Sequence, residues 1–292
     1  MNIEELINKT SDELQDLERR NKKYDSFLNP FGQDRVVSSL DIQSELETQR
    51  LKQEKPFLSK IPKMDFLTEG FSSEELVVVS APTRHGKTSF CQTLTENFES
   101  QGISCLWFEF EVGMNSFFKK FHKQIPTFYL PRKMKHNDLV WLEERIYQGI
   151  ANYGTKVVFI DHLHYVIDLV NKKGGGDSFS LSVGFVMREL RRMAIEHGIT
   201  VFLIAHMKKL FLDKPPELDD LRDSSFIAQE ADIVLLMSRH SERDLDGTRG
   251  KRMLTNEVSV SVEKSRRSGK SGSVKLMYKD NYHYEIDEHH EQ

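Results

Sequence analysis

Short apolar runs alternate with amphipathic stretches along most of this chain, beginning near residue 60. Seven runs predict strands, at Leu76–Ser80, Cys105–Phe110, Lys156–Ile160, Thr200–Ala205, Ile233–Ser238, Glu257–Lys264 and Ser273–Tyr278. Apolar positions with helical spacing predict helices over 88–99, 113–122, 137–152 and 179–197. The early strands are apolar throughout, which is typical of a parallel sheet covered on both faces. The last two alternate apolar with polar residues, so we expect an α/β fold with a mostly parallel central sheet and a C-terminal β-hairpin.

Residues 1–55 have a different pattern, because they are charged and contain no strand-like run. Two helical stretches, Ile3–Tyr24 and Ser38–Glu54, are separated by a break at residues 29–32. With so few apolar residues this segment cannot form its own core, so it is either a mobile tail or a helical arm that docks on a neighbouring subunit. We expect a helical arm at 1–55, an α/β domain at 56–285 and an acidic tail at 286–292, with frayed residues from Glu285 onward.

The composition suits one α/β domain with an appendage, since 38% of the 292 residues are hydrophobic. The sequence contains no apolar run near the roughly 20 residues that span a bilayer, and its N-terminus is acidic rather than signal-like. We therefore expect a cytoplasmic protein with no membrane partner. Cys91 and Cys105 lie in apolar sequence, which favours free buried thiols in a reducing compartment, and no zinc-ligand spacing occurs.

Charge is unevenly distributed although the net charge is only -4. Residues 263–279 hold six basic side chains against the single acid Glu263. A second basic segment, Lys172–Lys173 followed by three glycines, comes just after the third predicted strand. These numbers argue against a uniformly basic nucleic-acid coat protein, but the local patches remain compatible with nucleic-acid binding.

The strongest chemical signal lies between the first strand and the first long helix. Its residues are Ala81, Pro82, Thr83, Arg84, His85, Gly86, Lys87, Thr88 and Ser89, with Ala81 where a phosphate-binding loop usually has its first Gly. Backbone N–H groups and the helix N-terminus form an anion cradle, and Gly86 allows the backbone to approach the phosphates. Lys87 would reach the β- and γ-phosphates, and the Thr88 hydroxyl would bind Mg²⁺. The loop predicts binding of a nucleoside triphosphate together with Mg²⁺.

Acidic residues end two further strands. Asp161 follows four apolar residues at the end of the third strand, where phosphate-loop enzymes hold Mg²⁺ through water. Glu109 and Glu111 alternate with Phe108 and Phe110 in the second strand. One of these two acids could orient the attacking water, since burial of both without a purpose would be costly, or one or both could lie at an exposed strand end.

The order of these motifs resembles the RecA-like motor domain of the DnaB-type replicative ring helicases. Residues 110–112, Phe-Glu-Val, match the segment whose Glu is the catalytic base, so the resemblance implies that Glu111 is the base and that Glu109 falls at a Ser position. Asp161 matches the family's strand-end Asp. The fourth strand of the family ends in a γ-phosphate sensor, Gln or His, and His206 occupies that position.

Two later segments carry the rest of the resemblance. Residues 220–234 are similar to the family's segment that begins the loop and helix contacting single-stranded DNA, with Ser225 where the family has Gly. Residues 264–272 are similar to the hairpin that enters the neighbouring subunit's ATP site, which implies that Arg266 is an arginine finger and Lys264 its companion. Lys172, Lys173, Arg222 and Ser225 are the DNA-contacting residues expected on this basis.

The resemblance covers about residues 60–285 in motif order, with little identity between motifs. The family's usual Thr-Gly-x-x-x-Leu-Asp segment is reduced to residues 61–71, and residues 1–55 are too short for its helicase-associated or primase domain. The resemblance implies an ATP-hydrolysing DNA helicase that forms a homo-oligomeric ring, expected to be a hexamer, on single-stranded DNA. Primase, polymerase or a loader would be its candidate partners.

Two alternatives remain open at the level of sequence. A RecA-like recombination or repair ATPase would carry a polymerisation motif and a DNA-binding module before the core, and neither is visible. A nucleotide-gated replisome interaction protein without unwinding activity would be expected to lose the base or the finger, yet Glu111 and Arg266 are both present.

Overall fold

The computed structural model describes residues 36–43, 55–134, 139–171, 179–207, 215–221, 224–243 and 252–286. The chain divides into two compact units, Met1–Glu54 and Lys55–Gln292. In the first unit, a helical turn at 39–43 begins where the Ser38 hydroxyl accepts a hydrogen bond from the Asp41 N–H at 3.1 Å. The predicted helix Ile3–Tyr24 and most of the predicted helix Ser38–Glu54 lie outside the described residues.

The second unit is built on an eight-stranded sheet. Its strands are β1 (Leu76–Ala81), β2 (Cys105–Glu109), β3 (Val157–Asp161), β4 (Thr200–His206), β5 (Ile233–Arg243), β6 (Arg252–Ser265), β7 (Gly272–Lys279) and β8 (Tyr282–Glu285). Five strands run parallel in the order β2-β3-β4-β1-β5, and β6, β7 and β8 continue the sheet in antiparallel pairs. The predicted mostly parallel sheet is confirmed, and β8 extends the predicted hairpin by one strand.

Helices cover both faces of this sheet. Those described in this unit are α1 (Pro62–Thr68), α2 (Lys87–Glu99), α3 (Met114–Phe118), α4 (Leu139–Tyr153), α5 (Leu163–Asn171), α6 (Phe179–His197) and α7 (Ser224–Glu230), with a 3₁₀ turn at Leu218–Asp220. Val77 and Val79 of β1 belong to a core that includes α2, whereas Leu76 and Val78 belong to a second core that includes α4 to α7. All six positions of β1 are buried, which explains its continuous apolar run.

The predicted helix over 113–122 is shorter in the structure, because tertiary partners replace its helical hydrogen bonds. Only Met114–Phe118 is helical. The Gln92 side chain donates to the Phe117 carbonyl at 2.9 Å, and Glu96 accepts a hydrogen bond from the His122 N–H at 2.8 Å. Side chains of α2 therefore fix the chain beyond Phe118 in a series of turns.

Among the described elements, the sequence pattern did not predict α1, α5 and β8, and α7 was expected only from the family resemblance. The expectation of a frayed chain from Glu285 onward is wrong for Glu285 itself, because it ends β8 and its carboxylate accepts the Lys63 N–H at 3.2 Å. The tail at 287–292 lies outside the described residues. Cys91 and Cys105 are free and buried, as predicted. In the part of the chain that the structure describes, no helix has the length and apolar character needed to cross a membrane.

Candidate active site

The loop between β1 and α2 curls around the N-terminus of α2. Arg84 and Gly86 have φ angles of 71° and 93°, in the left-handed region, and Gly86 is the N-cap of α2. A Cβ at Gly86 would meet only the His283 imidazole, at 3.8 Å, so the backbone there borders open space. Ala81 completes β1 opposite His206 and has no positive φ, so this position does not require Gly. The geometry is that of an anion cradle.

A cavity of about 460 Å³ lies beside this loop. It is lined by the predicted residues Thr83, Arg84, His85, Gly86, Lys87, Thr88, Ser89, Glu111 and His206. Ala81 and Pro82 lie behind the loop, where their carbonyls accept hydrogen bonds from the Lys87 ammonium at 3.0 and 3.4 Å. Burial lowers the pKa of Lys87, while the charges of Asp161 and Glu111 act in the opposite direction. The structure therefore brings most of the predicted nucleotide-binding residues around one space.

Thr88 and Asp161 meet at the edge of this cavity. The Thr88 hydroxyl donates to Asp161 Oδ2 at 2.6 Å, and the second carboxylate oxygen is buried without a hydrogen-bond partner among the described residues. Burial raises the pKa of Asp161 to about 6, although the Thr88 hydrogen bond lowers it. A hydroxyl and a carboxylate oxygen that lacks a donor are hard ligands of the type that Mg²⁺ prefers, so this pair fits the predicted metal site.

The two acids of the second strand occupy different environments. Glu109 is buried, and its Oε1 accepts the N–H groups of Glu111 at 2.7 Å and Val112 at 2.8 Å. Burial, and next the charge of Asp161, raises the pKa of Glu109 to about 8. Glu111 is exposed and lines the cavity. The geometry thus favours Glu111 over Glu109 as the group that meets water, with Glu109 fixing the turn that carries it.

Two histidines lie across from Glu111. The ring centroids of His162 and His206 are 4.1 Å apart, and one ligand atom from each, together with a Glu111 oxygen, lies within 4.8 Å of the others. Burial, aided by nearby histidine and Lys87 charges, lowers the pKa of His162 to about 3 and that of His206 to about 4. Both rings are therefore neutral near pH 7, where each can donate one hydrogen bond.

Sequence reasoning missed a second wall of the cavity, next to the loop. Arg239, Val258, Tyr278 and His283 line it from four different strands, and Lys120 joins them from the segment after α3. The Arg239 N–H donates to His85 Nδ1 at 2.9 Å, which ties this wall to the phosphate loop. Val258 and Tyr278 belong to predicted strands and Arg239 directly follows one, but only the pairing of β5 to β8 brings the four strand residues to one place.

His283, in this wall of the cavity, makes the stability of the folded protein depend on pH. It is 1% exposed, and burial lowers its pKa from 6.5 to about 3. Between pH 6.5 and pH 3, this histidine is therefore mostly protonated in the unfolded chain and mostly neutral in the folded chain. Because of this difference, the free energy of unfolding falls by about 2 kcal/mol from pH 7 to pH 5. We expect urea denaturation at both pH values to show a smaller fall for His283→Asn than for the wild type. Equal falls in the two proteins would contradict this assignment.

The expected finger residues lie at the opposite edge of the sheet from the phosphate loop. In register, Ser265 pairs with Ile233 and Ile233 with Val77, whereas the loop follows Ala81. Four residues of strand separate these levels by roughly 13 Å. Lys264 and Arg266 instead contact the end of α7 and Asp232, so the structure does not bring them to this subunit's own cavity.

The expected DNA-contacting residues are only partly visible. Lys172, Lys173 and Arg222 lie outside the described residues. Ser225 is exposed in the first turn of α7.

Fold and cavity together define a phosphate-loop nucleotide-binding protein with a parallel α/β core. The family described as DnaB-like helicase C terminal domain matches residues 127–285, which is more than half of the chain and includes Asp161, His206, Lys264 and Arg266. The chain belongs to this family.

Curated relatives agree with this membership. The chain is 22% identical to a probable replicative DNA helicase of Trieres chinensis, over 89% of this chain and 65% of that protein. It is 26% identical to the replicative DNA helicase DnaB of Mycoplasma genitalium, over 74% of this chain and 53% of the relative. The chain thus spans about half to two thirds of the length of these relatives.

Solved structures agree on the fold. One described as an ATPase domain matches with a TM-score of 0.67 and 19% identity, over 86% of this chain and all of that one. A DnaB-like replicative helicase studied with its primase interactions matches with a TM-score of 0.65 and 20% identity, over 96% of this chain and 76% of that one. The predicted RecA-like core is confirmed.

Proposed function

We propose that this protein is an ATP-dependent DNA helicase of replicative type, which translocates as a ring on single-stranded DNA. The observation that supports it best is the separation of two half-sites on one sheet. Lys87, Thr88 and Glu111 surround the cavity at one edge, and Lys264 and Arg266 lie at the other. Repeated head-to-tail contacts between copies would join these halves and close into a ring when the rotation permits.

Phosphate binding is the first role of the cavity. The loop N–H groups and the Lys87 ammonium would hold the β- and γ-phosphates of ATP, while Thr88 and Asp161 would hold Mg²⁺. The ion would neutralise charge on the phosphates when bound. On the wall formed by the later strands, Tyr278 and Arg239 offer an aromatic and a guanidinium face suited to the nucleoside.

Hydrolysis would depend on Glu111 and His206. The exposed Glu111 carboxylate would accept a proton from the attacking water and orient it, a role worth about 10²–10⁴ in rate. The neutral His206 ring would donate a hydrogen bond to a γ-phosphate oxygen and so respond to its loss. Arg266 and Lys264 of a neighbouring copy would stabilise charge on the transferring phosphoryl group.

Single-stranded DNA would lie in the centre of the ring, against Lys172, Lys173, Arg222 and Ser225. We place the protein in the cytoplasm of a bacterium or of a virus-infected cell, with primase, polymerase or a loader as candidate partners. Electron microscopy of the protein with an ATP analogue and oligo-dT tests the assembly. Rings in the images, together with unwinding in an assay on a forked duplex, support the proposal. Filaments would favour the recombination ATPase. DNA binding without unwinding would favour the interaction protein.

The DNA path itself makes a prediction. Replacement of Lys172, Lys173 and Arg222 together should remove DNA stimulation of the ATPase but leave basal hydrolysis, because the ATP cavity is chemically separate. Each lost phosphate contact on a single strand contributes roughly 0.7 to the slope of log affinity against log salt, so the slope should flatten by about two. Binding titrations over a range of salt concentrations, with ATPase assays at saturating DNA, measure both effects.

A matched control changes three other basic residues. Lys133, Lys275 and Lys279 are exposed, and their joint replacement alters net charge equally. Full DNA stimulation and an unchanged slope in the first triple variant, or equal losses in both, would refute the proposed DNA path.

A further inference from the structure

Lys264 and Arg266 both bind the C-terminal end of α7. The Lys264 ammonium donates to the carbonyls of Ala228 at 2.5 Å and Ala231 at 2.6 Å, and the Arg266 guanidinium donates to the carbonyl of Gln229. The last carbonyls of a helix lack helical partners and carry partial negative charge, so cations stabilise them. The positions of the two proposed finger residues therefore depend on the position of this helix end.

Asp232 connects this helix end to the body of the sheet. It is 5% exposed, and its carboxylate accepts the Leu76 N–H at 2.8 Å. The same carboxylate pairs with Arg266 at 3.3 Å and with Arg191 of α6. Its backbone carbonyl also accepts the Arg266 N–H at 2.9 Å. Asp232 thus holds Arg266 through both its side chain and its main chain.

The negative charge of the Asp232 carboxylate offsets repulsion among the neighbouring cations Lys264, Arg266 and Arg191. Burial lowers the pKa of Lys264, and the charges of Arg266 and Arg191 lower it further. The three cations repel one another, and Asp232 pairs directly with two of them. Arg266 has the more exposed side chain of the two arginines, 47% against 23%. Loss of the Asp232 charge should therefore displace Arg266 most easily.

The other end of α7 lies at the proposed DNA path. The helix has seven residues and rises about 10 Å from the exposed Ser225 region to Asp232. Its Phe226 packs closely on α6, because a Cβ at Gly184 would lie 2.8 Å from the Phe226 ring. A shift at the first turn of so short a helix would reach the carbonyls that hold Lys264 and Arg266.

We propose that Asp232 is a positioning residue for the finger, holding Arg266 against α7 so that DNA contact at the start of α7 changes hydrolysis in the neighbouring copy's ATP site. The inference rests on the proposed function, in which Arg266 acts in trans. It connects DNA binding to hydrolysis in the neighbour through contacts within one subunit.

The test is complementation between variants of the full chain. Lys87→Ala has a defective cavity and an intact finger edge, and Arg266→Ala has the reverse. Asp232→Asn keeps an acceptor for the Leu76 N–H but loses the charge that pairs with Arg266. We expect its turnover to fall at least tenfold with unchanged ATP affinity, and DNA to stimulate it less. Mixing with Lys87→Ala should restore activity, and mixing with Arg266→Ala should not.

The outcomes distinguish the proposed site shared between subunits from the proposed role of Asp232. If Lys87→Ala and Arg266→Ala fail to complement each other, the shared site is wrong and this inference falls with it. If they do complement, but Asp232→Asn restores Arg266→Ala or keeps wild-type turnover, only the role of Asp232 is wrong. Should thermal unfolding show that Asp232→Asn does not fold, Asp232→Glu is used instead, because it keeps the charge but moves the carboxylate by one methylene. Any turnover that Asp232→Glu loses should be restored by mixing with Lys87→Ala but not with Arg266→Ala, and restoration by Arg266→Ala would overturn the role of Asp232.

Discussion

Glu111→Gln should bind ATP with nearly wild-type affinity and lose about 10²–10⁴ in turnover, the range that a general base contributes. The amide is nearly isosteric with the carboxylate but cannot accept the proton from water. Glu111 lines the cavity and is exposed, so the substitution costs little stability. Steady-state ATPase rates, together with titration of a fluorescent ATP analogue, separate turnover from binding.

Glu109→Gln is the matched control, because it makes the same chemical change two residues away. Glu109 is buried and accepts two N–H groups from the turn that follows it, and a Gln oxygen can still accept them. Turnover should therefore fall much less than in Glu111→Gln. If Glu111→Gln keeps near-wild-type turnover while Glu109→Gln loses it, Glu109 is the base.

Local sequence patterns were sufficient to predict most strands of the central sheet and the part of the site formed by the phosphate loop and Asp161. Strands buried on both faces, such as β1, are continuous apolar runs, and strand ends in a parallel sheet share one edge. Lys87, Thr88 and Asp161 could therefore be placed together from their positions in the chain. The contact between Thr88 and Asp161 at 2.6 Å agrees with that placement.

The missed residues depend on contacts between distant parts of the chain. His283 lies against Thr93, 190 positions earlier in the sequence, with their side chains 3.2 Å apart. Nothing in the short polar segment 279–285 indicates a buried strand, because β8 has only four residues and one fully buried position. His162 likewise follows a predicted strand, but its approach to His206 depends on the pairing of β3 with β4.

Glu109 shows a different limit. Alternation placed Glu109 and Glu111 on one face of a strand, and the spacing alone could not distinguish them. The strand ends at Glu109, and the turn that begins there directs Glu111 to the cavity while Glu109 stays buried. The residue at which the strand ends therefore decides which carboxylate meets water.

Arg266→Ala should lose about 10³–10⁵ in turnover, the range measured for arginine fingers supplied in trans, and should keep its ATP affinity. The reason is positional, since Arg266 lies at the sheet edge opposite the phosphate loop and contacts α7 rather than its own cavity. Turnover per subunit in the wild type should rise with protein concentration as copies assemble, and in Arg266→Ala it should stay low at every concentration. ATPase assays across a dilution series, with nucleotide binding measured in parallel, test both statements.

Arg267→Ala is the control for charge and for the shape of this turn. The Arg267 guanidinium donates to the carbonyls of Thr68 at 3.2 Å and Gly70 at 2.5 Å, so it fastens the turn to the C-terminal end of α1 and the residues that follow it. Its loss should lower the melting temperature but spare most of the turnover, because the finger remains. Equal catalytic losses in the two variants would mean that the turn as a whole, rather than Arg266, is needed. Weaker ATP binding in Arg266→Ala would place its guanidinium in its own subunit's nucleotide site, against the geometry of the sheet.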